Sequence, residues 1–196
     1  MTALTLEETA RRLGSYRWIE MRAFEILGGW VAEVPEVEVK PVLAGHAAQH
    51  GWHAGVWLER MPAFAGLDAG RLTVPANPGV AAFVEALSAG AAGRDRTMEK
   101  LVGVYRVLLP YAITAYAGHL ARCSAVADAP LARWLRFVLD DETAARGQGE
   151  AVLQGLLGGP ADVRRAAEHQ ARLEVLLVEA GGLAAPDPAP GPGKRV

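Results

Sequence analysis

At 196 residues the chain is long enough for one domain with a sizeable core. Its 51% apolar share comes mostly from Ala, Leu and Val, and β-branched and aromatic residues rarely cluster, so helices are favoured over sheet. The 20 Lys and Arg against 22 Asp and Glu leave a formal charge of -2 with no basic stripe, which excludes the electrostatic footprint of a nucleic-acid binder.

The N-terminus, Met-Thr-Ala-Leu-Thr-Leu-Glu-Glu, has no cationic region leading into an apolar one, so no export leader is expected. Thr5, followed by Glu7 and Glu8, marks a helix start: a hydroxyl to cap and carboxylates at the positive end of the dipole. This first helix is expected to run to about Val34, where Pro35 closes it, with an apolar stripe of Leu13, Tyr16, Phe24, Leu27 and Val31. Glu20 falls inside that stripe, where a charge is costly unless something pairs with it.

A second helix is expected from near Val37 to Met61-Pro62, with Pro41 in its first turn. Its stripe is Val39, Val42, His46, His50, His53 and Trp57, so steps of four and three residues put three imidazoles on one face. Residues 63–94, rich in Gly, Pro and Ala, are too long for a simple turn and predict a crossover holding a short helix from Asn77-Pro78 to about Ser88.

The third main helix is expected over residues 95–122, with Leu101, Val104, Leu108, Ala112, Ala115 and His119 as its stripe and a kink at Pro110. Cys123 is the single cysteine, so no intrachain disulfide can form and nothing points to an oxidising compartment. Asp128 and Pro130 start a fourth helix, which carries Leu131, Leu135, Val138, Glu142, Ala145, Val152 and Leu156 on one face and stops at Gly158-Gly159.

Pro160 opens a fifth helix that ends at Gly181-Gly182. Residues 1–182 are thus expected to form a single helical domain, and 183–196 a flexible Pro/Gly-rich tail. No run of roughly 18 apolar residues occurs, so no membrane contact is expected and the protein is placed in the cytoplasm.

The pairing of Glu20 with the histidine cluster points to metal chemistry. Gly-x-Gly-x-x-Gly and Walker sequences are absent, and Cys123 has no base near it in sequence. Glu20 with His50-x-x-His53 offers a mixed oxygen and nitrogen ligand set, which suits Zn, Fe or Ni better than Mg or Ca.

Each residue also has a plainer role open to it. His46 stands a full turn from His50 and suits packing, and His50 and His53 can be a buried imidazole pair bonded to Glu20 without metal. Glu142 has Arg146 at i+4 as an ion-pair partner. Glu99 and Glu150 are expected on solvated faces, and His119 and His169 stand singly. Trp18, Trp30, Trp52, Trp57 and Trp134 are expected in core or interface, and Tyr105 and Tyr111 as packing residues that could lie near the site.

Several stretches carry a resemblance: Trp18-Ile-Glu-Met-Arg-Ala-Phe-Glu-Ile-Leu-Gly-Gly-Trp30, Val39-Lys40, Gly45-His46, His53-Ala54, Arg60-Met-Pro62, Tyr105-Arg-Val-Leu-Leu-Pro110, and Asp128-Ala-Pro130 through Leu139-Asp-Asp-Glu142. Over roughly residues 10–157 the chain resembles a bacterial branch of the ferritin-like superfamily. The resemblance implies an all-α, ferritin-like four-helix bundle with a long crossover and an additional C-terminal helix, with metal between facing helices.

That pattern supplies one Glu and then Glu-x-x-His from each hairpin. Here His50 stands in the place of the first acid and Ala145 in the place of the second histidine, and the third helix offers Leu108, Leu109 and Tyr111 where a Glu belongs. The departures imply a degenerate site of Glu20, His50, His53 and Glu142 that holds one iron, manganese or zinc ion, or none. Two functions follow: a mono-metal oxidase-type enzyme or partner subunit acting on an unidentified small molecule, and a metal-free scaffold acting through oligomerisation. The chain is expected to form a homodimer or hetero-oligomer, and for the scaffold Ala-rich seams and the fifth helix make the contact.

Overall fold

Thr5 opens the first helix, α1 (Leu6–Glu33), with a reciprocal cap: its Oγ1 accepts from the Glu8 N–H at 3.2 Å, and the Glu8 carboxylate accepts from the Thr5 N–H at 2.7 Å. The computed structural model describes residues 3–62 and 68–184, all of whose regular elements are helical. After α1 come α2 (Val39–Arg60), the single turn α3 (Ala69–Leu72) and α4 (Pro78–Gly90). They are followed by α5 (Thr97–Leu120), α6 (Ala129–Leu156) and α7 (Pro160–Glu179). The expected all-α class holds, with boundaries within a few residues of the sequence signals. The expected tail lies outside the described residues from 185 onward, while Leu183 is buried against the core.

Four long helices surround one seam. α1 packs along α2, α2 meets α6, and α6 meets α5. The ring closes where Tyr16 of α1 donates to the Ala115 carbonyl of α5. α4 and α7 pack together against the outside of α5, joined where Asn77, the N-cap of α4, donates to the Ala180 carbonyl. Gly181 and Gly182 end α7 with φ of +77° and +94°, and the Gly182 N–H returns to the Leu177 carbonyl.

α5 departs most from its expected form. Val102–Leu108 is a wide π turn, in which the Leu109 N–H bonds the Val104 carbonyl five residues back. It lies just before Pro110, whose ring would crowd the carbonyl four residues earlier in an ordinary helix. Beyond this turn Ala112 and His119 are buried as expected, while Tyr116 takes the inward place expected of Ala115, which is only partly covered. By length and composition α5 is apolar enough to cross a membrane, and more than half of its apolar window is buried inside this protein.

Other expectations need correction. Phe24 is 48% exposed, because the inward face of α1 runs through Ile19, Ala23, Ile26 and Trp30 instead. Glu99, expected on a solvated face, is buried because α7 lies across the first turn of α5 and brings Arg165 to 3.2 Å beside Arg96 at 3.0 Å. Asp128 holds the N-cap position of α6, but its carboxylate accepts from the Ser124 N–H in the preceding turn.

His119 is buried on α5 with its Nδ1 unpartnered. Burial, and then Arg12, push its pKa down to about 4. Because the unfolded chain binds this proton more readily, the contribution of His119 to stability is present above about pH 6.5 and is lost as pH falls toward 4, by up to about 3 kcal/mol. Denaturant melts of the wild type and His119→Phe at neutral and acidic pH are expected to show a smaller acid loss in the variant. Equal losses would refute this assignment.

Candidate metal centre

The seam of the four helices, mostly apolar, carries a cluster of four ionisable side chains at one level. There α1 contributes Glu20, α2 contributes His50 and His53, and α6 contributes Glu142, all buried. One ligand atom from each can be chosen so that all four lie within 4.8 Å of one another, and this buried group could hold a metal ion. The i, i+3 spacing of His50 and His53 brings both Nδ1 atoms to the same side of α2.

The contacts are short. His50 Nδ1 lies 2.6 Å from Glu20 Oε2 and 3.4 Å from Glu142 Oε1. His53 Nδ1 lies 3.0 Å from Glu142 Oε1 and 3.7 Å from Glu20 Oε1. Glu142 Oε2 has no hydrogen-bond partner, which leaves an anionic acceptor unused in a buried site. Arg146 is exposed, and the inward turn of Glu142 takes it away from that i+4 partner.

Two further groups complete the surroundings. The Tyr116 hydroxyl donates to Glu20 Oε1 at 2.5 Å, and Asp141, 35% exposed at its side chain, sits 3.2 Å from the far nitrogen of His53. Neither was singled out from sequence. The run Asp140-Asp141-Glu142 signals the second, whereas Tyr116 and Ala115 both lie at the edge of the α5 stripe and the period of the helix does not choose between them.

His46 is buried but does not join the group. Its Nδ1 meets the Tyr105 hydroxyl at 2.8 Å and its Nε2 meets Gln148 at 3.1 Å, so both nitrogens are engaged. Tyr105 therefore stands behind His46, and Tyr111 lines a surface groove with Arg12 and Leu177. The positions Leu108, Leu109 and Ala112 do face the centre and offer only hydrocarbon.

The electrostatics follow from burial and proximity. Burial alone would raise the pKa of Glu20, but His50 and His53 reverse this and hold it well below the usual carboxylate range. Burial opposes a charge on His53, yet Glu142 and Glu20 outweigh it and raise the pKa to about 10, and His50 is raised for the same reason. Burial, followed by Glu20, pushes Tyr116 well above the ordinary phenol value. The imidazoles of His50 and His53 and the Glu20 carboxylate thus favour one another's charged forms.

No protein-family model matches the chain, and no curated protein or solved structure is significantly similar to it.

Proposed function

We propose that the chain is a ferritin-like helical bundle that holds a single divalent ion, iron, manganese or zinc, and serves as an oxidase-type enzyme or as the partner subunit of one. The observation that carries this is the convergence of Glu20, His50, His53 and Glu142 from three helices within one buried volume. Glu20 and Glu142 supply oxygen donors and the two Nδ1 atoms supply nitrogen, a set that iron, manganese and zinc accept. A bound ion would supply a Lewis-acidic or redox-active centre shielded from bulk water.

The charge balance supports the same reading. A dication and two neutral imidazoles carry the same total charge as two imidazoliums, so metal entry does not add net charge to a buried seam. Uptake is therefore expected to release the His53 proton and to strengthen as pH rises toward 10. Titration calorimetry in buffers of different ionisation heat measures this release. An affinity unchanged between acidic and alkaline buffers would contradict it.

The test of the function itself is metal analysis after reconstitution with Fe(II), Mn(II) and Zn(II). One equivalent per chain is expected, because the opposite side of the seam presents Leu108, Leu109 and Ala112. Two equivalents would refute the half-site. No uptake would favour a metal-free scaffold, for which the 2.6 Å contact of His50 with Glu20 speaks, since it satisfies the buried carboxylate without an ion.

A further inference from the structure

The outward faces of α2 and α6 carry an aromatic patch that the metal centre does not use. Trp52 of α2 and Phe137 of α6 are 45% and 49% exposed, and their ring centres lie 5.4 Å apart. Trp134 joins them, its ring 6.0 Å from Phe137 and 6.1 Å from Trp52. Arg60 stands over the Trp134 ring at 5.7 Å and rims the patch. Half-exposed rings in mutual contact keep in water an apolar area that a partner can cover.

The charges beside the patch indicate which partner. On α6 the exposed residues Ala129, Arg133, Phe137, Asp140 and Ala144 follow one another at steps of four, four, three and four, so they share one stripe. Neither Arg133 nor Asp140 forms an ion pair among the described residues. A two-fold axis crossing α6 between Arg136 and Phe137 would lay a second α6 antiparallel on the first. Arg133 then faces Asp140, Ala129 faces Ala144, and the exposed Arg136 faces Phe137, a guanidinium against an aromatic ring. The stripe is therefore complementary to itself. A partner of uniform charge would instead set either Arg133 or Asp140 against its own sign.

We propose that this face is the interface of a homodimer, in which α6 of one copy crosses α6 of another antiparallel over the patch of Trp52, Trp134 and Phe137. The aromatic area supplies the affinity. The reciprocal Arg133–Asp140 pairs fix direction and register, because exposed ion pairs contribute little binding energy and select orientation more than they hold. The proposal stands whether or not the centre holds a metal.

The experiment is sedimentation equilibrium of the full chain. The wild type is expected to dimerise in the micromolar range, and Phe137→Ser to weaken the dimer by about 30-fold or more. Arg133→Glu makes both ends of the stripe acidic and Asp140→Arg makes both basic, so each variant alone should dimerise at least about 10-fold more weakly. Mixed in equal amounts the two should associate again, since the acidic stripe of one meets the basic stripe of the other. All three side chains are exposed in the single chain, so the variants should keep the fold, which circular dichroism checks.

A wild type that stays monomeric at submillimolar concentration overturns the proposal. So does a dimer that Phe137→Ser leaves unchanged, which would place the contact elsewhere, for instance along α7. Charge variants that associate no better mixed than alone overturn the antiparallel pairing of α6.

Discussion

Replacing His53 with alanine is expected to lower metal affinity by at least about 100-fold, since even residues that only orient a ligand are worth 10–100-fold. His53 is the residue most completely enclosed in the centre, with contacts to Glu142, Glu20 and Asp141. Its removal leaves Glu142 buried without its closest cation, so the metal-free protein should also lose about 3–5 kcal/mol. Metal content at low temperature, where the variant remains folded, separates the two effects. His46→Ala is the control: its nitrogens are bonded to Tyr105 and Gln148, and metal content should not change. Full metal content in His53→Ala, or its loss in His46→Ala, would reverse the ligand assignment.

Gly149→Ala should be the most damaging single-methyl change near the site. An added Cβ at this buried position would lie 2.3 Å from the Tyr105 ring, which is itself wholly buried and held through its hydroxyl by His46. The ring must move, and the His46 bond must lengthen or break. Overpacking of this kind costs about 1–3 kcal/mol, and more where a rigid ring is trapped. Gly147→Ala, two residues earlier on the exposed side of the same helix, meets nothing within 4 Å. It should stabilise the protein by about 0.5–1 kcal/mol, because helical glycine carries an entropic penalty. Chemical denaturation of the pair is expected to show shifts of opposite sign. A Gly149→Ala protein as stable as the wild type would mean that Tyr105 does not pack on α6 as described.

Much of the fold is written in local signals. Thr5, Asn77, Pro160 and Gly181-Gly182 mark helix ends by capping and backbone preference, and those preferences act within a few residues of the chain. Glu20, His50 and His53 were legible for a related reason: a polar residue on an otherwise apolar face must find a partner, whatever packs against it.

Glu142 was ambiguous, because its local partner Arg146 and its distant partners both satisfy a carboxylate, and only the rotation of α6 chooses between them. Phe24 and Glu99 were misplaced because a residue at the edge of a stripe is buried or exposed according to the neighbour that covers it. For Glu99 that neighbour is Arg165, on a helix more than sixty residues away in the chain.

The sequence by itself determined the all-helical class and the helix limits and nominated Glu20, His50, His53 and Glu142, since each of these depends on short-range backbone chemistry or on the period of one helix. The tertiary structure alone decided that Glu142 meets His50 and His53 rather than Arg146, that Tyr116 rather than Tyr105 reaches Glu20, and that a cavity remains beside them. The physical reason is the packing of four helices around one seam: how each helix is turned toward its neighbours decides which side chains at the edge of a stripe share a buried volume, and no local pattern encodes that choice.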